Sequence, residues 1–361
     1  MSPTSAPPRD TALDNVKGVL IFLVVFGHFI ELHIDGAPLL RPLWIFLYAF
    51  HMPMFALVSG MFSKQSLGDG EAGRLIRHIV APLLAFEIIY ECSELIIAGK
   101  VSVYATLIAP YWMLWYLLSL LSWRLLLPVF SRLRYGVVLA VVLAMLCSYS
   151  EQSGYLLSLS RTLTFFPYFL LGWKMGPDFF RRTSNRPLLL GVALLICITA
   201  LAACFWLPPY FDYRWLYGSF SLNRLAMANL TGSAYQLLQY AVCTVLGLAV
   251  LYLLTRRHIG LARIGQHSMY VFLWHGMALI LLQQTGLLSK IFQYSEPVRL
   301  TLSLLISAAI VWLCASAPCA RLTQMLIIRP AANLLARALP PSAIRKTPAA
   351  TPQVQESTPT Q

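Results

Sequence analysis

Charge is scarce in this 361-residue chain. Charged side chains make up 11% of it, against 58% hydrophobic. A soluble domain of this size covers its surface with about a quarter charged residues, so a soluble globule is excluded. Acidic residues are scarcer than basic ones: 14 Asp and Glu face 27 Lys and Arg, for a net charge of +13. In a soluble protein that excess would suggest nucleic acid. No Arg-rich helix with interleaved aromatics is present, so nucleic acid is not an expected partner, and basic loops between apolar runs explain the excess. The seven cysteines form no C-x-x-C pair and mostly sit inside apolar runs. They read as small core residues, not as disulfides or metal ligands. H-E-x-x-H is absent as well, and no metal is expected. No small-x-small cleavage site follows the first apolar run, which is read as a retained helix rather than a signal peptide.

What the chain does have is apolar runs near the roughly 20 residues needed to cross a bilayer. Apolar runs and turn signals give ten candidate helices, at 16–34, 42–63, 75–98, 109–128, 136–150, 160–175, 188–207, 234–254, 264–285 and 299–319. Pro110, Pro128, Pro208, Pro209 and Pro318 fall at or near helix ends, where a helix tolerates them. The loops alternate in charge. Lys64, Arg74 and Arg77, then Arg132 and Arg134, then Arg181, Arg182 and Arg186, then Arg256, Arg257 and Arg263 mark one side. Only scattered Arg41, Lys100, Arg214, Arg224 and Lys290 mark the other. The positive-inside rule then puts both termini in the cytoplasm. The expected fold is all-α: a polytopic integral membrane protein of about ten transmembrane helices. It divides into a leader at 1–15, a membrane domain at 16–325 and a cytoplasmic tail at 326–361, disordered after 340 because it lacks an apolar period. The longest outer loop, 208–233, is both aromatic and polar. It reads as an interfacial belt or as a lip that stacks a sugar ring.

Four ionisable residues fall at one expected depth. His28 lies eleven residues past Lys17, about 16 Å along a helix. His51, His275 and Glu87 lie eleven or twelve residues from the inner ends of their own helices, with Glu91 and Glu94 further out. An intramembrane ionisable group points to function; the plain rival is a polar side chain that bonds a neighbouring helix. Transporters, channels and membrane enzymes all use such groups. Transporters tend to carry internal repeats, and the two halves of this chain show none that is convincing. That favours chemistry. A neutral imidazole can take a proton from a hydroxyl near neutral pH, so His28 is read as a general base or as a transient acceptor of the acyl group. Glu31, one turn from His28, is its local carboxylate partner, and Glu87 is a tertiary candidate. Lys17 at the inner end suits an anionic head group. A donor with its head at Lys17 and its reactive end at His28 has the shape of an acyl-coenzyme A.

The segment LDNVKGVLIFLVVFGHF resembles the opening helix of the membrane acyltransferase-3 family, in which an Arg and a His are separated by ten intervening residues. Lys17 stands in the Arg place and His28 in the His place. Together with FHMPMFALVSGMF at 50–62, this segment resembles the fucose 4-O-acetylase-like branch. YWMLWYLLSL at 111–120, RTLTFFPYFLLGWKMG at 161–176 and IGQHSMYVFLWHG at 264–276 match in the family's order. The resemblance implies a bacterial, multi-pass inner-membrane enzyme of about ten helices. It implies O-acetylation with acetyl-CoA as co-substrate and a carbohydrate or glycolipid as acceptor, with membrane lipid around it. It makes His28 the essential histidine and Lys17 the donor contact, and it places the family's SG on Ser59 and Gly60. Lys offers a point charge where Arg offers a bidentate fork.

The candidate catalytic residues are thus His28, Glu31, Glu87 and His275. Lys17, His51 and Ser59 are candidates for binding the donor, and Arg161 and Trp115 for binding the acceptor. Each has a structural rival. Ser59-Gly60 also suits close helix packing, His51 could bond a carbonyl freed by Pro53, and Lys17 could anchor at the interface. At the level of the whole protein, the rivals are a transporter or flippase and a subunit without turnover.

Overall fold

The computed structural model describes residues 11–337 apart from 69, 152, 153, 155, 184, 185, 257 and 258. Arg257, the first ten residues of the leader and the tail expected to be disordered lie outside the described residues. Every regular element among the described residues is helical. The main helices are α1 (Thr11–Glu31), α2 (Leu40–Met61), α3 (Ala81–Ala98), α4 (Trp115–Phe130), α5 (Gly136–Ser148), α6 (Leu159–Met175), α7 (Pro187–Trp206), α8 (Leu230–Thr255), α9 (Ser268–Gln284) and α10 (Glu296–Cys314). Two shorter helices follow, α11 (Ala317–Thr323) and α12 (Arg329–Ala336).

Each of the ten main helices overlaps one span expected from sequence. Six segments are long and apolar enough to cross a membrane: α1, α2, Trp112–Phe130 around α4, α7, α8 and α10. The others fall short for visible reasons. α3 carries Glu87, Glu91 and Glu94, and α5, α6 and α9 have 13, 17 and 17 residues. Three boundaries differ from the sequence reading. α1 already includes Thr11, the first described residue, and ends at Glu31, since the polar TALDNVK turn is helical and packed. The chain enters α4 only at Trp112, because Ile108 and Trp112 adopt left-handed φ values of 52° and 37°. Residues 326–336, read as the start of the tail, continue a helix through a π turn at Gln324–Ile328 into α12, which packs on α3.

α1 lies at the centre. It packs against α2, α8, α9, α10 and the short helix Ala262–Gln266. Close contact there needs glycine: a Cβ on Gly265 would collide with the Asp14 carbonyl, and one on Gly18 would crowd Leu261. α2 and α6 meet the same way, Gly60 against the Phe169 carbonyl and Gly172 against that of Leu57. Small residues that let backbones approach are how membrane helices gain packing energy without a hydrophobic driving force. α2 also serves as a ruler, because His51 lies near its middle, eleven residues from Leu40 and ten from Met61.

Candidate active site

A cavity of about 310 Å³ opens beside that midpoint, at the small end of ligand sites. Its walls come from α1, α2, α4, α6 and α9, from the segment around Tyr104 and Trp112, and from the loop carrying Leu216, Tyr217 and Phe220. His28, Glu31, His51, Trp115 and Arg161 all line it. They stand on four helices, α1, α2, α4 and α6.

His28 and Glu31 form its polar centre. They are three apart on α1 and so share a helix face. His28 Nδ1 lies 3.0 Å from Glu31 Oε2 and 3.2 Å from the Tyr48 hydroxyl. Tyr48 donates to Glu31 Oε2 at 2.6 Å, and Tyr217 donates to Oε1 at 2.6 Å. The carboxylate therefore accepts from an imidazole and two phenols, each bond charge-assisted. Tyr217 sits in the loop after α7. Burial first, then the neighbouring Glu31 carboxylate, push its hydroxyl well above the usual phenol range, so it stays a donor. With Nδ1 directed at the carboxylate, Nε2 is the ring nitrogen turned away from Glu31.

The other two histidines are held differently. His51 Nδ1 bonds the Leu47 carbonyl at 2.8 Å. That carbonyl is four residues back on its own helix; the one freed by Pro53 belongs to Ala49. His275 Nδ1 bonds the Phe272 and Val271 carbonyls at 2.8 and 3.1 Å, and its Nε2 is buried without a partner. His275 does not line the cavity, but its ring stacks on His28 with centroids 5.6 Å apart. Only His28 of these three has a carboxylate partner.

Arg161 enters from the start of α6. Its Nε donates to the Tyr217 carbonyl at 3.3 Å, and its guanidinium lies 5.2 Å from the Trp115 ring centroid. It is the only Lys or Arg among the described residues lining the cavity. Ser59 is one step removed: its hydroxyl is 2.7 Å from that of Tyr116, which does line the cavity. Two candidates are not brought in. Lys17 lies 3.7 Å from Asp14, with its ammonium 3.9 Å from the Phe62 ring centroid at the far end of α2. Glu87 spends both carboxylate oxygens on the Tyr111 N–H, at 3.0 Å each. The residues the sequence reading missed are Tyr48, Tyr217 and Trp112. A tyrosine one turn before His51 was a usable signal for Tyr48, and the aromatic 208–233 loop was one for Tyr217. Among the described residues, no group of three His, Cys, Asp or Glu side chains is placed to hold a metal ion.

The fold and this site define a helical membrane protein with a carboxylate-oriented imidazole in an aromatic cavity. Residues 10–316 match the family described as "Acyltransferase domain", the acyltransferase-3 family, and the chain belongs to it. Nodulation protein NolL of Sinorhizobium fredii (strain NBRC 101917 / NGR234) is 25% identical over 253 residues, 64% of this chain and 64% of that protein. Nodulation protein NolL of Mesorhizobium japonicum is 27% identical over 221 residues, 54% of this chain and 57% of that protein. The chain thus spans less than two thirds of the length of these curated relatives. No solved structure matches.

Proposed function

We propose that the chain is a bacterial inner-membrane O-acyltransferase with ten spans and both termini in the cytoplasm. It moves an acyl group, acetyl in the simplest case, from cytosolic acyl-CoA to a hydroxyl of a carbohydrate or glycoconjugate. The observation that carries this reading is the His28–Glu31 pair. An imidazole with a carboxylate and two phenols behind it, opening on an aromatic cavity, is built to take a proton from a bound hydroxyl.

The acceptor hydroxyl gives its proton to His28 Nε2, and its oxygen attacks the thioester carbonyl. The imidazolium that forms is stabilised by Glu31, whose charge Tyr48 and Tyr217 hold in place. As the C–S bond breaks, the proton returns from Nε2 to the departing thiolate and leaves as the coenzyme A thiol. Trp115 and Tyr217 offer ring faces to a sugar, and the Arg161 guanidinium offers it N–H donors. α2 orders the donor's approach. Phe62 lies under Lys17 at the inner end, Ser59 and Phe55 follow at one-turn intervals, and then comes His51. A pantetheine arm running the roughly 16 Å from Lys17 to His28 follows that row, with the Ser59–Tyr116 pair beside it.

The test is mass spectrometry of cell-surface glycans from cells with and without the gene. Loss of one acyl group per modified sugar supports the reading and names acceptor and acyl group together. Unchanged glycans, with purified protein that consumes no acetyl-CoA in the presence of those glycans, would leave a transporter or flippase as the better account.

A further inference from the structure

Glu87 and Tyr90, three residues apart on α3, each reach a different segment that packs on His28. Both Glu87 carboxylate oxygens accept the Tyr111 N–H. The next residue, Trp112, has φ 37°, a left-handed backbone in a bulky residue. Such a conformation persists only when its surroundings hold it. The Trp112 ring meets His28 edge-on, with centroids 5.1 Å apart. Tyr111 is fixed twice more: its hydroxyl donates to Glu94 at 2.9 Å, and its ring stacks on Tyr90 at 4.9 Å.

Tyr90 acts on the other side. Its hydroxyl donates to the Leu273 carbonyl at 2.9 Å and accepts the Met277 N–H at 3.0 Å. Those two groups are the ends of one i to i+4 rung of α9. A side chain that inserts into such a rung fixes the local course of the helix. His275 lies within the rung, and its ring stacks on His28 with an interplanar angle of 21°.

We propose that Glu87 and Tyr90 are positioning residues for His28, Glu87 by setting Trp112 through the Tyr111 amide and Tyr90 by setting His275 through the α9 rung. The effect on rate rests on the acyltransferase reading; the hold on the ring does not. The experiment therefore reads both. The full-length protein in detergent is treated with diethylpyrocarbonate, and carbethoxylation of His28 is timed by mass spectrometry beside acetyl transfer. Glu87→Ala and Tyr90→Phe are expected to speed His28 labelling at least about threefold. They lower kcat about tenfold with the KM for acetyl-CoA nearly unchanged, as expected for a misoriented reacting group. Glu87→Gln keeps one acceptor oxygen and stays within about twofold on both readouts. If Glu87→Ala does not fold, Tyr90→Phe decides alone, since it keeps the stacked ring and removes only the hydroxyl. Wild-type labelling rates in folded Glu87→Ala and Tyr90→Phe would overturn the proposal. If wild-type protein transfers no acyl group, the function fails while the labelling rates still decide the positioning.

Discussion

α1 and α7 are both apolar helices of about 20 residues, yet they do opposite jobs. α7 is the more hydrophobic, with a mean hydropathy of 2.8 against 1.7, and only 11% of its apolar window is buried by the rest of the protein. For α1 the figure is 72%. A purely apolar helix gains nothing by leaving lipid, whose tails are as apolar as leucine. A helix that carries Asp14, Lys17, His28 and Glu31 must turn those groups to protein or to a polar cavity. The less hydrophobic helix therefore occupies the centre and carries polar side chains that line the cavity, and the more hydrophobic one forms the rim. The same reasoning separates the histidines. His51 and His275 satisfy Nδ1 on their own helices, whereas His28 spends Nδ1 on a carboxylate, which fixes the orientation of its ring.

Short of removing the imidazole itself, the largest effect expected on the α1 side is from Glu31→Gln. The amide cannot stabilise an imidazolium as the carboxylate does, and acyl transfer should fall about 10²-fold or more. Steady-state kinetics with acetyl-CoA measure it. Gly172→Ala comes next and tests the packing of α6 on α2. Its Cβ would collide with the Leu57 carbonyl, and overpacking of this kind costs about 1–3 kcal/mol. A lower midpoint of thermal unfolding in detergent is the readout, and an unchanged midpoint would mean that α2 and α6 do not meet there. Tyr217→Phe removes one of three donors to Glu31. A hydrogen bond to a charged group is worth about 1.5–3 kcal/mol, so turnover should drop about tenfold or more while the protein folds normally. The smallest effect belongs to α7. Leu195 is 61% exposed within the protein, and Leu195→Ala should change stability by no more than about 0.5 kcal/mol and leave turnover as it was. A large effect there would make α7 an interface rather than a rim.

Much of this arrangement was legible in the chain. The apolar runs mark where the main helices lie, because a span must be apolar over a length set by the bilayer. His28 and Glu31 could be paired from their spacing alone. The partners of that pair were signalled only as candidates among many aromatics. Tyr217 reaches Glu31 across 186 residues of sequence and Tyr48 across 17, and no local pattern encodes which aromatic of the 208–233 loop turns toward the cavity. Glu87 shows how depth can mislead: it lies on a helix that packs near the site, but the Tyr111 backbone takes its carboxylate. The start of α4 was hidden for a related reason. Ile108 and Trp112 adopt left-handed backbone without the glycine that usually announces it. The register of Lys17 over Phe62 depends on how α1 and α2 dock, which a single sequence does not display.

The claim on which the account rests is that the His28 imidazole moves the proton during acyl transfer. The most direct measurement compares wild-type protein and His28→Ala, both purified in detergent and shown to unfold at the same temperature. Transfer of labelled acetyl from acetyl-CoA to the acceptor glycan is then followed in each. His28→Ala is expected to lose about 10²–10⁴-fold in rate, and transfer at the wild-type rate in folded His28→Ala would contradict a proton-moving role for this imidazole.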